Sequence, residues 1–426
     1  MAAAIYLNAE SGETSLWKEI SYWLAILPIL FITANGRIET DASPIAFRFT
    51  AMAEDSLARR IVRLGCSLLV IYLLSTRSRA ILTLCRRSKL LLLSPAIAFA
   101  SILWSRNPSH TLVDSLNLLL TTLFAIYIYL RYPEERLVSL LNMAAFLTLL
   151  LCVMTVIFFP SVGLDANQQG AWRGIFGQKN NCATVCALFL IVGLHASCRG
   201  LINQFVRVGV VCLSAVFIIM SNSRTGWIVA ILAITLTYGV RFIARVRSLD
   251  RILLLLLMIV PIVFAAFMMH EYFNSILAAM DKDPTMTQRT IIWAETLPSI
   301  AKHPFLGYGY SAFWAGLNGE SMHTVLVTGW MEGQAQDGYL DVLLGLGLLG
   351  LVPLIALFLR ALWQAWKAIE RKQLDRAVLL AIVMLPVVLI ENIGESFLLD
   401  PLGIPWFYVL LSLLTLSFTN YPAEER

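Results

Sequence analysis

Long apolar runs dominate the chain and alternate with short polar segments. A helix needs about 20 apolar residues to cross a bilayer core about 30 Å thick, and most of the runs approach that length. None alternates polar and apolar residues as the strands of a membrane β-barrel do, so the pattern predicts helices. The predicted spans centre on residues 22–33, 61–75, 90–104, 112–130, 137–159, 182–198, 204–220, 226–243, 252–269, 339–359, 376–393 and 402–418.

These spans predict an all-α, polytopic integral membrane protein with about twelve transmembrane helices. We expect one membrane domain over residues 1–426, with a single long extramembrane segment, residues 270–338, between the ninth and tenth helices. Composition agrees, since 58% of residues are hydrophobic, 14% are charged and the mean hydropathy is +0.75. The first run lacks a basic flank and a cleavage site, so we expect it to remain as a helix.

Charge and cysteine usage narrow the function classes. The net charge of +5 comes from loops, so no nucleic-acid partner is expected. None of the seven cysteines forms a CxxC pair. Cys182 and Cys186 share a helix face but have no histidine partner, so we expect neither a disulfide framework nor a metal site.

The basic residues predict an orientation. With the N-terminus in the cytoplasm, the cytoplasmic segments carry 20 basic residues and the opposite segments carry 11. The positive-inside rule favours this arrangement, with both termini cytoplasmic. Four polar clusters then fall at the outer face: Arg173–Asn181, Ser221–Gly226, residues 270–338, and the pair Glu391 and Glu395. A membrane protein with arginines, a lysine and carboxylates at one face is expected to handle an anionic, lipid-linked substrate there.

The cluster Arg173–Asn181 (RGIFGQKNN) precedes the span 182–198. Its asparagines, Asn180 among them, can cap that helix and expose amide donors at its positive end. Lys179 and Arg173 add positive charge, which makes the segment a candidate diphosphate pocket. The alternative is a capped loop with an interfacial lysine.

The cluster Ser221–Gly226 (SNSRTG) is a very short link that holds Arg224 close to the membrane surface. A guanidinium is a planar fork that binds phosphate oxygens in a bidentate way. The alternative is an interfacial arginine that extends to lipid headgroups.

The segment 270–338 contains apolar and basic positions at helical spacing from Arg289 to about Ala301, so a short amphipathic helix is predicted there. Gln336, Asp337 and Tyr339 lie where the span 339–359 begins, and all three are candidate substrate or catalytic residues. Asp337 could serve only as an N-cap.

Glu391 and Glu395 are four residues apart, on one helix face near the outer end of the span 376–393. Carboxylates so close to a bilayer are costly unless they are paired. They could pair with Arg224 or Arg289, contact sugar hydroxyls, or form a purely structural ion pair.

Taken in order, the segments RGIFGQKNN, SNSRTGW, QRTIIWAETLPSIAKHPFLGYGYSAFW and QDGYLDVLLGLGLLGLVPL resemble the O-antigen ligase and polysaccharide polymerase superfamily. The exopolysaccharide-polymerase branch is the closest in appearance. The motifs cover about residues 170–420.

The resemblance implies a GT-C-like fold in the bacterial inner membrane and metal-independent, inverting glycosyl transfer at the periplasmic face, with no cofactor. It implies an undecaprenyl-diphosphate-linked oligosaccharide as donor. Membrane lipids and other exopolysaccharide assembly and export proteins would be the partners.

By the resemblance, Arg224 and Arg289 match two arginines that hold the donor diphosphate, and Lys179 and Asn180 match a Lys-Asn element. The chain departs from the family where a His-Asn pair is usual, since Gln336 and Asp337 occupy those positions. Glutamine cannot act as a general base. Asp337, Glu332 or His323 could take that role, the nucleophile could need little deprotonation, or the chain could be an altered or inactive homologue.

Two other functions stay open. The first is transfer of the glycan to a lipid A core or a protein instead of another repeat unit. The second is transport across the membrane, which would favour charges at mid-membrane or paired broken helices. In this sequence the charges gather at one predicted face, and no internal repeat is evident.

Overall fold

The computed structural model describes residues 15–34, 57–133, 135–165, 170–246, 289–329 and 333–419. Within these residues the architecture is almost entirely helical, which confirms the all-α prediction. The helices are α1 (Ser15–Ala34), α2 (Leu57–Thr76), α3 (Ser78–Arg87), α4 (Lys89–Ala100), α5 (Pro108–Arg131), α6 (Glu135–Phe158), α7 (Lys179–His195), α8 (Leu201–Met220), α9 (Arg224–Ile243), α10 (Arg289–Lys302), α11 (Met322–Thr328), α12 (Gly338–Glu370), α13 (Arg376–Glu391) and α14 (Ile404–Thr419). Two short strands, β1 (Leu164–Asp165) and β2 (Ala171–Trp172), pair antiparallel.

Eleven of the predicted spans coincide with helices in the described part of the chain. The remaining span, residues 252–269, lies outside it, as does the predicted extramembrane segment up to residue 288. Five described helices, α5, α6, α8, α9 and α12, are long and apolar enough to cross a membrane. The helices α2 and α3, which meet at a bend of 86°, make a sixth crossing if they count as one span. A multi-pass membrane protein is confirmed, while twelve crossings stay a prediction.

The helix α7 lies at the centre of the bundle. Every residue from Cys182 to Gly193 is buried, and α7 packs against α6, α8, α9 and α13. A helix that is apolar on all faces is buried on all faces. Near its start, a Cβ on Gly226 of α9 would lie 2.3 Å from the Ala183 Cβ, so only glycine permits this approach of α9 to α7.

The long helix α12 is broken at Gly347, where φ is 61° and ψ is −158°. The segment Pro304–Gly309 fills the break. The Tyr308 N–H donates to the Leu344 carbonyl at 2.8 Å, and the Gly309 N–H donates to the Gly345 carbonyl at 2.9 Å. In the other direction, the N–H groups of the two residues that follow Gly347 donate to the Pro304 and Phe305 carbonyls at 2.8 and 3.0 Å. The break therefore leaves these backbone groups paired, as burial requires.

Glycine is needed on both sides of this contact. A Cβ on Gly347 would lie 2.4 Å from the Phe305 carbonyl carbon, and a Cβ on Gly307 would lie 2.6 Å from that of Gly345. Both glycines also have positive φ, which L-residues with side chains rarely adopt. The motifs HPFLGYG and GLGLLG are thus the two halves of one contact.

The same segment continues into the bundle through Tyr310. The Tyr310 N–H donates to Ser101 Oγ at 3.0 Å, and its carbonyl accepts from Thr111 Oγ1 at 2.8 Å. The Tyr310 hydroxyl donates to the Leu399 carbonyl in the link between α13 and α14. The segment from Pro304 to Tyr310 therefore connects the start of α5, the break in α12 and the link before α14.

Replacing Gly347 with alanine should lower stability, because positive φ alone costs about 1–3 kcal/mol at a residue with a side chain and the added methyl meets Phe305. The measurement is the midpoint of thermal unfolding of the purified protein in detergent. Gly239→Ala is the matched control, since a Cβ there meets nothing within 4 Å and alanine is the better helix former by about 1 kcal/mol. Equal midpoints for the two variants would contradict the role given to Gly347.

Candidate functional site

The polar clusters predicted to share one membrane face meet at one end of the bundle. The helices α7, α9 and α12 begin at this end and α13 ends there, and direct contacts join them. Ser223 Oγ accepts from the Gly226 N–H at 3.3 Å and so caps α9, while its hydroxyl donates to Asn180 Oδ1 at 2.9 Å. Asn180 at the start of α7 therefore holds the start of α9.

Two cations at this end have no partner among the described residues. Arg224, the first residue of α9, is exposed, and Lys179, the first residue of α7, is half-buried. Neither side chain forms a hydrogen bond or ion pair with a described residue. The predicted cap of α7 by an asparagine is wrong, because the asparagines lie inside the first turn and Asn180 accepts from Ser223 instead. No side chain of the described residues caps this N-terminus, which leaves backbone amides at the positive end of the helix beside Lys179. This arrangement suits a bound anion.

Arg173 is placed differently. Its guanidinium donates to the carbonyls of Val162, Gly177 and Ser161 at 3.0, 3.2 and 3.4 Å. These bonds fasten the loop that precedes α7 to the turn after α6. A direct contact between Arg173 and substrate stays a prediction, and in this structure the side chain holds its own loop.

Arg289, the first residue of α10, forms a largely buried ion pair with Glu395. Arg289 Nη2 lies 2.7 Å from Glu395 Oε1, and the two side chains are 15% and 5% exposed. Burial raises the pKa of Glu395, while the charge and hydrogen bond of Arg289 oppose that rise. Of the alternatives weighed for this carboxylate, the structure shows the ion pair with Arg289.

Glu391 lies one helical turn before Glu395 and is only 3% exposed. Neither of its carboxyl oxygens has a hydrogen-bond partner within the described residues, nor does Thr184 Oγ1, which faces it from α7. An unpaired charge in such a place is very costly, so the neutral carboxylic acid is the favoured form. In this conformation Glu391 is too buried to contact sugar hydroxyls.

Asp337 caps α12. Its Oδ1 accepts from the Tyr339 and Leu340 N–H groups at 2.8 and 3.0 Å. Asp337 therefore serves as the N-cap that the sequence offered as its structural role. Its own N–H donates to Ser396 Oγ at 3.1 Å. Burial raises the pKa of Asp337, and the two helix N–H groups oppose the rise. Gln336 precedes it, half-buried and in the left-handed region at φ 55°.

The start of α12 is docked on the link between α13 and α14. The Gly338 N–H donates to the carbonyls of Asn392 and Glu395 at 2.8 and 3.1 Å. The Tyr339 hydroxyl donates to the Leu389 carbonyl at 2.8 Å. Tyr339 thus joins α12 to α13, and its contact with substrate stays a prediction.

The sequence analysis missed Asn392, which is fully buried and organises this link. Its Oδ1 accepts from the Phe397 and Leu398 N–H groups at 2.9 and 3.0 Å. A Cβ on Gly338 would lie 2.2 Å from that oxygen, so the glycine before Tyr339 is required by the contact. An asparagine beside a glutamate at the end of an apolar span was the available signal.

The other candidate bases lie apart from these contacts or outside the described residues. His323 on α11 is exposed, and its Nδ1 lies 2.6 Å from Glu295 Oε2 on α10. Glu332 lies outside the described residues. Within the described ranges no three His, Cys, Asp or Glu side chains are grouped to hold a metal ion.

Residues 209–355 match the family model described as O-antigen ligase. The chain is also 26% identical over 168 residues to the exopolysaccharide production protein ExoQ of Rhizobium meliloti (strain 1021). That similarity covers 38% of this chain and 39% of ExoQ, so the chain spans about two-fifths of the length of this relative. The resemblance that the motifs indicated is confirmed. The matched range contains Arg224, Arg289 and Asp337, while Lys179, Glu391 and Glu395 lie outside it.

Replacing Glu391 with methionine should raise the melting temperature of the detergent-solubilised protein. A buried polar group without a partner costs about 1–3 kcal/mol, and methionine has a similar length without that cost. Glu395→Met is the comparison, since it removes the partner of a buried arginine and should lower the melting temperature. A fall for Glu391→Met as large as that for Glu395→Met would show that Glu391 has a strong partner.

Proposed function

We propose that this chain polymerises oligosaccharide repeat units carried on undecaprenyl diphosphate, by metal-independent, inverting glycosyl transfer at the periplasmic face of the inner membrane. The observation that carries the proposal is the set of positive groups at one end of a multi-pass bundle. Arg224, Lys179 and the uncapped start of α7 lie beside each other there, and Arg289 is held at the same end by its ion pair with Glu395. The similarity to ExoQ supports exopolysaccharide production as the process.

The leaving group explains why cations are needed. As the anomeric bond breaks, the lipid diphosphate gains negative charge, which Arg224, Arg289 and the start of α7 would stabilise most strongly in the transition state. Lys179 would add a point charge at the same place. No acid is needed to protonate the leaving group, because a diphosphate is stable as an anion.

Asp337 is the proposed base. Its Oδ1 is used by the helix cap, while its Oδ2 accepts no hydrogen bond from the described residues. The raised pKa of Asp337 makes its carboxylate a better proton acceptor than an ordinary aspartate. Gln336, held beside it in the left-handed conformation, would orient the acceptor sugar through its amide.

A ligase is the second candidate, and the family description of residues 209–355 favours it. In that reaction the same site would transfer the glycan to a lipid A core or a protein. Transport is the third. α12 is broken at Gly347, and α2 with α3 would be a second broken span if the two helices count as one. The gathering of the charged motifs at one end of the bundle favours the transferases over transport.

The proposal places the chain in the bacterial inner membrane with both termini in the cytoplasm. Its partners would be membrane lipids, the lipid-linked oligosaccharide and other exopolysaccharide assembly and export proteins. The charge distribution along the sequence supports this orientation.

Arg224→Ala and Arg289→Ala should each abolish polymer formation at normal protein level, because removing one such donor costs about 10²–10³ in rate. Lysine at either position should restore little, since the bidentate fork is lost. The measurement is the lipid-linked glycan profile of a deletion strain that carries each variant. Arg199→Ala is the control, since Arg199 is exposed at the opposite end of the bundle, 3.5 Å from Glu135.

The same profile separates the candidate functions. Single repeat units that accumulate on the lipid, with polymer lost, support the polymerase. Long lipid-linked chains that never reach their acceptor support the ligase. An empty outer-face lipid pool supports transport, and polymer of wild-type length in both arginine variants would rule out the proposed site.

Asp337→Asn should lower the rate by about 10²–10⁴ while thermal stability stays close to wild type, because asparagine caps a helix as well as aspartate but cannot take a proton. Asp337→Ala should lose both activity and about 0.5–2 kcal/mol of stability. Rates and melting temperatures of the two purified variants provide the check. An active Asp337→Asn variant would show that another group accepts the proton.

A further inference from the structure

The two arginines proposed to bind the diphosphate are held in different ways. Arg224 is exposed, and its side chain forms no hydrogen bond or ion pair with a described residue. Arg289 is only 15% exposed, and its Nη2 donates to Glu395 at 2.7 Å. Arg289 is therefore ordered before substrate arrives, whereas only the backbone of Arg224 is fixed, by the start of α9.

The contact with Glu395 uses little of the Arg289 guanidinium. A guanidinium has five N–H donors, and only Nη2 donates to a described residue. Nη1 lies 3.0 Å from the position that a Cβ on Gly394 would take, so the guanidinium lies close to that glycine. The remaining donors are left for a second anion.

Glu395 is itself fixed. Its carbonyl accepts from the Gly338 N–H at 3.1 Å, and the next residue, Ser396, accepts from the Asp337 N–H through its Oγ. The link that carries Glu395 is closed by Asn392, whose side chain accepts two backbone N–H groups at 2.9 and 3.0 Å. The Glu395 carboxylate is therefore carried by a hydrogen-bonded link that also holds the start of α12.

Among the residues that the structure describes, three charged or titratable groups lie near Glu395 on the elements packed against it. Arg289 faces it from α10, Glu391 lies one turn before it on α13, and Asp337 begins α12. Since Glu391 is buried without a partner, its neutral form leaves Glu395 as the anion that Arg289 meets. The negative charge beside Arg289 is thus confined to one place.

We propose that Glu395 is a positioning residue that orders Arg289 for the donor diphosphate through the bond to Nη2 and contacts no substrate itself. This inference rests on the proposed function. An arginine side chain loses rotamer entropy when it is fixed, and the ion pair removes that loss from the reaction. Arg289 then acts as a preorganised donor, while Arg224 is ordered by the substrate it captures.

The test measures kcat and KM of the full-length protein in detergent, with lipid-linked repeat units extracted from the deletion strain as substrate. Glu395→Gln should lower kcat about 10²-fold with little change in KM, because a small misplacement of a catalytic group costs about that much. Glu395→Asp, which keeps the charge, should recover part of the loss. Glu135→Gln is the matched control: it removes a glutamate that lies 3.5 Å from Arg199 and 3.7 Å from Arg376 at the opposite end of the bundle.

The pH profile separates positioning from mere structural support. Glu395 must be ionised to hold Arg289, so wild-type activity should fall as pH falls through the pKa of Glu395, which burial raises. Protonation of the proposed base Asp337 gives an acidic limb of its own, so the limb of Glu395→Gln should report Asp337 alone and should be less steep than that of wild type. An acidic limb in Glu395→Gln with the same midpoint and steepness as in wild type would overturn the inference.

A double variant guards against loss of folding. If Glu395 acts only through Arg289, then Arg289→Ala with Glu395→Gln should be no slower than Arg289→Ala alone. A further loss in the double variant would overturn the inference. If Arg289→Ala is inactive while Glu395→Gln is fully active, the inference fails and the proposed function stands. If Arg289→Ala is fully active, the proposed site itself fails.

Discussion

The backbone of α12 breaks at Gly347 inside an apolar bundle, where unpaired N–H and C=O groups have no water to bind. The segment Pro304–Gly309 supplies the missing partners. This exchange of backbone hydrogen bonds determines where the segment Pro304–Gly309 can lie. It fixes the segment that follows α10, connects it to the start of α5 through Tyr310, and leaves the first turns of α12 as a separate short helix that points its N-terminus at the site.

The first half of α12, before the break, is fixed in position at both of its ends. The break holds one end, and the link between α13 and α14 holds the other through Gly338, Asn392 and Glu395. The same link carries the carboxylate that binds Arg289. The proposed base Asp337 and the proposed diphosphate-binding residue Arg289 are therefore both held by the link between α13 and α14. This shared attachment keeps the distance between them constant. Precise placement of this kind is what differential stabilisation of a transition state requires.

Hydrophobic periodicity and helix length predicted the helices well, because burial of backbone in lipid permits little else. The gathering of the motifs also followed from counting spans, and contacts such as that of Ser223 with Asn180 join them at one end. The roles of single side chains did not follow. Arg173 turned toward carbonyls of its own loop, and Glu391 turned inward while Glu395 met Arg289. The contacts of Arg173 and Glu395 depend on the path of the backbone in loops, which hydrophobic periodicity does not describe. The burial of Glu391 depends on how the end of α13 packs. The break at Gly347 was hidden for the same reason, since GLGLLG reads as part of a continuous apolar span.

The pairing of GLGLLG with HPFLGYG has a consequence for how such a chain can vary and be recombined. The two motifs are some 35 residues apart in sequence, yet each presents backbone groups that only the other satisfies. Inherited or engineered exchange of the segment Pro304–Gly309 alone would bring a foreign loop to a break whose backbone partners it does not match. The two motifs are therefore expected to vary together, and a chimera should keep its fold only when both motifs come from the same parent.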